Sequence, residues 1–329
     1  MKIAENYDFF HQKTFFSPNK PLSPLSTSPQ SSRLSQQTDR LSPQSNRLPP
    51  FGEENSAFSR SVCFFDSGLG GLSALFAFRK MQPDENCVYY GDNDRAPYGN
   101  LPESVVVRYV CAAVDELKAF FPKALLLACN TATACALNEV KKRCAFPVLG
   151  TYPPLFSAGK HGGEGLVALT RATYRSAAFS DLLNRAAKVY PKTRFIAYPC
   201  DNLAAKIEDS LLLGKRADYL SELPRKAFSF VVLGCTHYAH IKSEIEAYYR
   251  CPVYDGAKNA AYRLKCALLK TPLTPHSEQP RPSSPIFTHT AEKTPADTAP
   301  VLSSDGKVLF LGSGKQKNRQ FYEHSFVLK

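Results

Sequence analysis

Two cysteines of the chain stand in closely similar surroundings. Residues 125–131 read Leu-Leu-Leu-Ala-Cys-Asn-Thr around Cys129, and residues 231–237 read Val-Val-Leu-Gly-Cys-Thr-His around Cys235. In each case an apolar run typical of a buried strand precedes the cysteine, and hydrogen-bonding residues and a predicted helix follow it. Because a helix N-terminus lowers the pKa of a thiol, both cysteines are candidates for chemistry. Most other cysteines are interpreted as small buried hydrophobic residues.

Two kinds of chemistry fit such a pair of thiols. A thiol hydrolase or transferase would use one cysteine as nucleophile, with His237 as its base. A proton-transfer enzyme would use the two thiols as a paired acid and base. The repetition favours proton transfer, because a nucleophile is needed only once. His237, His240 and Cys235 lack a second well-spaced group of metal ligands, so we expect no metal site.

Alternating strands and helices must position these thiols. Apolar runs predict strands over residues 61–65, 87–90, 124–128, 147–150, 166–170, 194–198, 228–233 and 308–311. Helical spacing predicts helices over residues 72–81, 103–121, 131–144, 176–189, 203–213 and 241–249. Such alternation is typical of parallel sheets that are covered by helices on both faces. Open sheets of this class bind ligands at the carboxyl ends of their strands, which is where both cysteines are expected.

The strand–helix pattern begins again near the middle of the chain. The predicted fold class is therefore α/β, with two pseudo-symmetric domains of mainly parallel sheets flanked by helices and an active site in the cleft between them. We assign residues 61–152 and 254–329 to the first domain and residues 153–253 to the second. A Ser/Pro-rich stretch predicts a disordered N-terminal extension over residues 1–60, and a second such stretch predicts a disordered insertion over residues 271–305.

Composition limits the partners and the compartment. The chain has 329 residues and a formal net charge of +12, which favours anionic partners from a small carboxylate to a nucleic acid. The charges of the two Ser/Pro-rich stretches cancel, so this excess belongs to the folded part. No apolar run approaches the ~20 residues of a membrane helix, and the N-terminus lacks the apolar core of a secretory signal. The ten cysteines include no Cys-x-x-Cys pair, so we expect reduced thiols and a cytoplasmic protein.

Two glycine-rich turns fall short of nucleotide-binding fingerprints. Residues 66–71 lack the third glycine of a dinucleotide fingerprint, because Ser73 stands there. Their N–H groups nevertheless suit a carboxylate at a helix start. Residues 312–315 resemble a phosphate loop only in part, since Leu309 and Gln316 replace its first glycine and its hydroxyl residue. We assign this second segment to a turn.

Five motifs taken together resemble those of the glutamate racemases, in that family's order and spacing. They are Phe-Asp-Ser-Gly-Leu-Gly-Gly-Leu at 65–72, Tyr-Gly-Asp at 90–92, Pro-Tyr-Gly at 97–99, Ala-Cys-Asn-Thr-Ala at 128–132 and Gly-Cys-Thr-His-Tyr at 234–238. The resemblance covers about residues 61–270 and the strand near Val308. His237 favours this family over the aspartate racemases, which typically have glutamate at that position.

The resemblance implies a cofactor-independent, two-base racemisation of L-glutamate to D-glutamate, which would supply D-glutamate for peptidoglycan precursor synthesis. Cys129 would take the Cα proton on one face of glutamate and Cys235 would return a proton on the other, or the reverse. Asp66, His237 and Glu208 match residues that assist the thiols. The implied substrate-binding positions are Asp66, Ser67, Pro97, Tyr98, Gly99, Asn130, Thr131, Thr173, Thr236 and His237.

Elementary chemistry agrees with this hypothesis. A Cα–H bond is a very weak acid, and without pyridoxal phosphate no electron sink is available, so fixed N–H dipoles must stabilise the carbanion. One thiol must be ionised while the other stays protonated, and their titrations are coupled. We expect a homodimer, with a monomer as the alternative, that binds glutamate and needs neither nucleic acid nor membrane. Another thiol-dependent amino-acid racemase, such as an aspartate racemase, and a Cys/His thiol hydrolase remain the alternatives.

Overall fold

The computed structural model of the protein describes residues 57–213, 217–270 and 306–324. The insertion predicted over residues 271–305 lies outside the described residues. So does the extension predicted over residues 1–60, except for its last four residues. Those four residues form a turn in which Phe58 is buried and the N–H of Arg60 donates to the carbonyl of Phe120 at 2.8 Å.

The first sheet has five parallel strands in the order β4-β3-β1-β2-β9. Its strands are β1 (Val62–Asp66), β2 (Cys87–Gly91), β3 (Ala124–Leu127), β4 (Val148–Gly150) and β9 (Val308–Leu311). Successive side chains of β1 enter opposite cores, with Val62 and Phe64 on one face and Cys63 and Phe65 on the other. Burial on both faces explains why the central strands are continuous apolar runs rather than alternating ones.

The second sheet has four parallel strands in the order β6-β5-β7-β8. Its strands are β5 (Gly163–Leu169), β6 (Thr193–Pro199), β7 (Phe230–Gly234) and β8 (Val253–Tyr254). The central strand β5 again divides its side chains between two cores, with Leu166 and Ala168 on one face and Val167 and Leu169 on the other. The two sheets therefore repeat one architecture, as the repeated sequence pattern predicts.

Helices connect these strands and cover the sheets. They are α1 (Leu72–Met81), α2 (Glu103–Leu117), α3 (Asn130–Arg143), α4 (Leu155–Ala158), α5 (Arg171–Arg175), α6 (Ala177–Val189), α7 (Leu203–Leu213), α8 (Lys242–Tyr249), α9 (Ala257–Lys270) and α10 (Lys315–Tyr322). The predicted α/β class with parallel sheets flanked by helices is confirmed. Within the described ranges, every helix is too short or too polar to cross a membrane.

Several elements depart from their predicted bounds. The helix predicted as far as Phe121 ends at Leu117 and continues as a 3-10 turn over Lys118–Phe120. It cannot continue further because Phe121 has left-handed backbone angles, with φ of 46°. The turn predicted over residues 312–315 is confirmed for its first three residues, and Lys315 begins α10.

Helix α9 is absent from the predicted elements because its buried face carries a weak apolar signal. That face consists mainly of Ala257, Ala260 and Ala261, with Leu264 beside them, and it packs in the same core as α1. Helix α10 is similarly hard to predict because its sequence, Lys-Gln-Lys-Asn-Arg-Gln-Phe-Tyr, is almost entirely polar. Both helices are too polar overall for an apolar run to mark them, and packing of one face against the core stabilises them.

Parallel strands place their carboxyl ends at one edge of each sheet, and polar residues and both candidate cysteines lie there. Asp66 ends β1, and Cys129 comes two residues after the end of β3. Thr170 directly follows β5, and Cys235 directly follows β7. The fold therefore brings the polar groups of both sheets to the edges where this fold class binds ligands.

Candidate active site

Cys129 is the N-cap residue of α3. Its Sγ accepts a hydrogen bond from the N–H of Ala132 at 3.5 Å and lies 3.6 Å from the Oγ of Ser67. Burial raises the pKa of Cys129 to about 12, and the nearby charges of Asp66 and Cys235 act in the same direction. The helix N-terminus lowers this pKa through the N–H of Ala132, as predicted, but burial outweighs that contribution and the net shift is upward. Cys129 is a protonated thiol at neutral pH.

Cys235 has a different environment. It precedes a 3-10 helix over Thr236–Ile241, and its side chain makes no hydrogen bond to the N–H groups of that helix. Its Sγ instead lies 3.7 Å from Nδ1 of His237. Only 7% of Cys235 is exposed. This thiol therefore faces an imidazole, whereas Cys129 faces a helix N-terminus and a hydroxyl group.

His237 and Glu208 form a buried pair behind Cys235. Nε2 of His237 is hydrogen bonded to Oε2 of Glu208, and both side chains are almost fully buried. Burial opposes protonation of His237, but the Glu208 carboxylate and Cys235 raise the pKa of the imidazole well above its ordinary value. Burial likewise opposes ionisation of Glu208, yet His237 lowers the pKa of that carboxyl group. An imidazolium can donate from both ring nitrogens, and here Nε2 faces the Glu208 carboxylate while Nδ1 faces the sulfur of Cys235.

The glycine-rich turn after β1 allows this pair to approach the first sheet. The N–H of Leu69 donates to Oε2 of Glu208 at 3.4 Å, so the turn holds a carboxylate of the protein itself. A Cβ at Gly68 would lie 2.5 Å from Oε1 of Glu208. A Cβ at Gly70 would lie 2.6 Å from Oγ1 of Thr236 and 2.8 Å from Nδ1 of His237. Side chains at these two positions would displace the pair.

Asp66 links the first sheet to the Cys235 loop. It is fully buried, and its Oδ1 accepts the N–H of Gly68 at 2.8 Å while its Oδ2 accepts the hydroxyl of Thr236 at 3.2 Å. Burial raises the pKa of Asp66, and the positive charge of His237 opposes that shift. The carboxylate of Asp66 therefore interacts electrostatically with Cys129 and with His237, which lies beside Cys235.

Three threonines join the two sheets on the Cys129 side. Oγ1 of Thr131 lies 2.9 Å from Oγ1 of Thr170 and 3.4 Å from Oγ1 of Thr173. Thr170 is also the N-cap residue of α5, where it accepts the N–H of Thr173 at 3.4 Å. Thr170 is absent from the predicted site residues, although its place directly after an apolar strand matches that of the predicted ones.

Tyr98 packs beneath the Cys129 side of the site. It is buried, and its hydroxyl donates to Oδ2 of Asp92, which also pairs with Arg95. Burial raises the pKa of Tyr98 strongly, and the Asp92 and Cys129 charges add to the effect. Pro97 lies half-buried immediately before it. The hydroxyl proton of Tyr98 is therefore used in the hydrogen bond to Asp92.

The remaining predicted positions lie at the same edges. A Cβ at Gly99 would lie 2.8 Å from Cγ2 of Thr170, so the loop of Gly99 is pressed against the second sheet. Nδ2 of Asn130 donates to the carbonyl of Thr151 at 3.1 Å. The amide of Asn130 thus fixes the chain where it leaves β4.

The site is closed in this structure. Cys129 is 5% exposed, and hydrogen bonds of Thr131 and Thr236 connect one sheet to the other across it. A pocket of about 340 Å³ lies near Tyr152, Arg185 and Arg263, and none of the predicted site residues lines it.

The geometry brings together a protonated thiol and a thiol beside an imidazolium, and known proteins share the sequence and the fold. The family described as Asp/Glu/Hydantoin racemase matches residues 76–264. A glutamate racemase of Clostridium novyi (strain NT) is 34% identical over 219 residues, which cover 64% of this chain and 83% of that protein.

Solved structures agree with the sequence comparison. The crystal structure of glutamate racemase from Thermus thermophilus in complex with β-chloro-D-alanine is 27% identical with a TM-score of 0.57, covering 81% of this chain and 93% of that one. Escherichia coli glutamate racemase in complex with L-glutamate and the activator UDP-MurNAc-Ala is 26% identical with a TM-score of 0.57, covering 67% of this chain and 86% of that one. The segment that matches the family covers more than half of the chain, so the chain belongs to the Asp/Glu/hydantoin racemase family.

Proposed function

We propose that the protein is a cofactor-independent glutamate racemase that uses Cys129 and Cys235 as its two bases. The observation that carries this proposal is the pairing of two buried thiols in unlike environments at the carboxyl ends of β3 and β7. Burial keeps Cys129 protonated, whereas Cys235 lies 3.7 Å from an imidazole whose pKa is raised. A two-base reaction begins with one cysteine ionised and the other protonated.

The proposed reaction transfers one proton at each thiol. In one direction the Cys235 thiolate removes the Cα proton, so that an S–H bond forms as the Cα–H bond breaks. The Cys129 thiol donates its proton to the opposite face of the carbanion and becomes a thiolate. The reverse direction exchanges the two roles. After each turnover the protonation states must be restored before the same enantiomer reacts again.

Neighbouring groups would assist each thiol. His237 would stabilise the thiolate form of Cys235 as an imidazolium, and Glu208 would keep His237 protonated. Asp66 would act between the two thiol environments, since its charge reaches Cys129 and its Oδ2 contacts the Cys235 loop. The proposed substrate-binding positions supply hydroxyl, amide and backbone groups around the thiols: Ser67, Pro97, Tyr98, Gly99, Asn130, Thr131, Thr173 and Thr236.

The substrate is proposed from the relatives. A protein named glutamate racemase is identical to this chain at 34% of 219 aligned residues, and one solved relative holds L-glutamate. A formal net charge of +12 suits a dicarboxylate. In this proposal the enzyme is a cytoplasmic homodimer that supplies D-glutamate for peptidoglycan precursor synthesis.

Optical rotation tests the proposal. Purified protein is incubated separately with L-glutamate, D-glutamate and each enantiomer of aspartate. We expect each glutamate enantiomer to be converted to an equal mixture of both, with much slower conversion of aspartate. Folded protein that racemises neither glutamate enantiomer would contradict the proposal. Faster racemisation of aspartate would reassign the substrate, and a trapped acyl-enzyme would indicate a thiol hydrolase.

A further inference from the structure

A buried pair of amides connects the C-terminal helix to the site. Nδ2 of Asn318 donates to Oδ1 of Asn93 at 2.9 Å, and Nδ2 of Asn93 donates to Oδ1 of Asn318 at 3.2 Å. Nδ2 of Asn93 also donates to Oε1 of Glu208 at 3.3 Å. Asn318 is fully buried although it lies on an almost entirely polar helix. These contacts extend the series from Cys235 through His237 and Glu208 to α10.

We infer that Asn318 is a positioning residue for the Cys235 half of the active site and acts through Asn93 and Glu208. The inference rests on the proposed function for the role of Cys235 in the reaction. Asn318 itself contacts neither thiol in this series, since Asn93 and Glu208 stand between it and His237.

The backbone around the amide pair is shaped to hold it. Strand β9 pairs with β2 in parallel register, with Leu311 opposite Tyr90, and Gly312 then turns the chain with φ of 86° into α10. A Cβ at Gly91 would collide with Nδ2 of Asn318, and a Cβ at Gly314 would collide with Oδ1 of Asn93. Glycine at both positions lets the two amides meet at hydrogen-bond distance.

The Glu208 carboxylate can only accept hydrogen bonds, so it requires Nδ2 of Asn93 on its side. Asn318 holds the Asn93 amide in this orientation by donating to its Oδ1 and accepting from its Nδ2. The opposite orientation would place an amide oxygen against a carboxylate oxygen, and neither of them can donate. Asn318 therefore secures a donor at Oε1 of Glu208 while His237 binds Oε2.

Among the described residues, the Asn93–Asn318 amide pair is connected by hydrogen bonds to the Cys235 side of the site and not to Cys129. Cys129 takes its contacts from Ser67 and Ala132, neither of which belongs to the amide pair. Loss of Asn318 should therefore affect steps that involve Cys235 and leave Cys129 unchanged. A general loosening of the fold would instead affect both thiols.

Alkylation by iodoacetamide tests the inference without relying on turnover. Rates at Cys235 and Cys129 are measured by peptide mass spectrometry in the full-length protein, Asn318→Ala, Asn93→Ala and the double variant. Lys317→Ala is the matched control, because Lys317 is exposed on the same helix. We expect at least a threefold slower reaction at Cys235 in the three test variants, an unchanged rate at Cys129, and no additional effect in the double variant. Equal changes at both cysteines, or none, would overturn the inference.

Kinetics with α-deuterated glutamate provides the second readout. We expect about a tenfold lower kcat in Asn318→Ala, and a larger isotope effect only in the direction in which Cys235 removes the proton. Asn93→Ala should reproduce this asymmetry if Asn318→Ala does not fold. An active full-length enzyme with symmetric changes would overturn the inference alone. An inactive but folded enzyme with selective alkylation changes would overturn the proposed function alone.

Discussion

Oε2 of Glu208 is hydrogen bonded to Nε2 of His237, although the two residues are separated by 29 positions and lie on different elements of the second half of the chain. The other nitrogen of the ring, Nδ1, faces Cys235 at 3.7 Å. A carboxylate, an imidazolium and a thiol thus form a series on one side of the site. Cys129 has no such neighbour among its described contacts, so similar sequences around the two cysteines produce unlike thiols.

Replacement of either thiol should abolish racemisation. We expect Cys129→Ser and Cys235→Ser each to lower kcat by about 10³-fold or more, because each removes one proton carrier of a two-base reaction. Cys251→Ser is the control, since Cys251 is a half-buried free cysteine. Circular dichroism of the protein verifies folding, and optical rotation measures turnover. Substantial activity in either single variant, at a rate near that of the control, would exclude the two-base reaction.

Breaking the buried pair should destabilise the protein in a pH-dependent way. Glu208 has a lowered pKa, so its stabilisation is present above its unfolded pKa of about 4.5 and is lost as pH falls through the folded value. His237 has a raised pKa, so its stabilisation is present below about 6.5 and is lost as pH rises through the folded value. The stabilising contributions of Glu208 and His237 are both fully present only between about pH 4.5 and pH 6.5.

We therefore expect Glu208→Gln to lower the free energy of unfolding by roughly 3–5 kcal/mol between about pH 4.5 and 6.5, and by less at higher pH. Urea titrations across that range measure the difference. Glu246→Gln is the control, because Glu246 lies exposed on α8. The same destabilisation at every pH would show that Glu208 and His237 are not an ion pair.

The charge of Asp66 contributes to the high pKa of Cys129, second only to burial. We expect Asp66→Asn to lower that pKa below about 12, so that iodoacetamide reacts with Cys129 faster at pH 9 than it does in the unmodified protein. The reaction of Cys251 in the same samples serves as the internal standard. An unchanged or slower reaction at Cys129 would contradict the assignment of this charge effect.

The glycine at position 70 should be essential for the geometry of the Cys235 loop. A Cβ there would lie 2.6 Å from Oγ1 of Thr236 and 2.8 Å from the backbone nitrogen of His237. We expect Gly70→Ala to destabilise the fold by about 1–3 kcal/mol and to lower kcat at least tenfold.

Gly162→Ala is the matched control for this variant. Gly162 has φ of 78°, and in the described part of the chain no heavy atom beyond Gly162 and its two chain neighbours lies within 4 Å of the position that a Cβ would take there. Alanine at this position therefore strains the backbone by about 1–2 kcal/mol without touching the site. We expect this control to lose stability and keep its kcat. Equal kcat values for the two variants would show that the effect of Gly70→Ala is general destabilisation.

The strands and the two thiols are predictable from sequence because their signals are local. Apolar runs define β1, β3, β5 and β7, and the cysteines follow closely after two of those strands. The pKa of Cys129 is not predictable in this way. The helix N-terminus, a local feature, lowers the pKa of Cys129 through the N–H of Ala132. Burial, which depends on the whole fold, raises that pKa by more.

The contact between Asn93 and Asn318 is likewise not predictable from the sequence. Asn93 and Asn318 lie 225 residues apart, and nothing in either segment alone indicates that they meet. Their contact depends on the parallel pairing of β9 with β2, which only the tertiary structure reveals. Thr170 is predictable only in part. Its position directly after a strand can be read from the sequence, but its contact with Thr131 cannot.

Deuterium incorporation at early conversion tests the two-base claim most directly. The protein is incubated with L-glutamate in deuterated water, and the Cα hydrogen of both enantiomers is measured by mass spectrometry before a tenth of the substrate has reacted. Because one thiol removes the proton and another supplies the replacement, we predict D-glutamate that carries deuterium and recovered L-glutamate that retains protium. D-glutamate that retains the original protium, or deuterium appearing equally in recovered L-glutamate, would contradict the account.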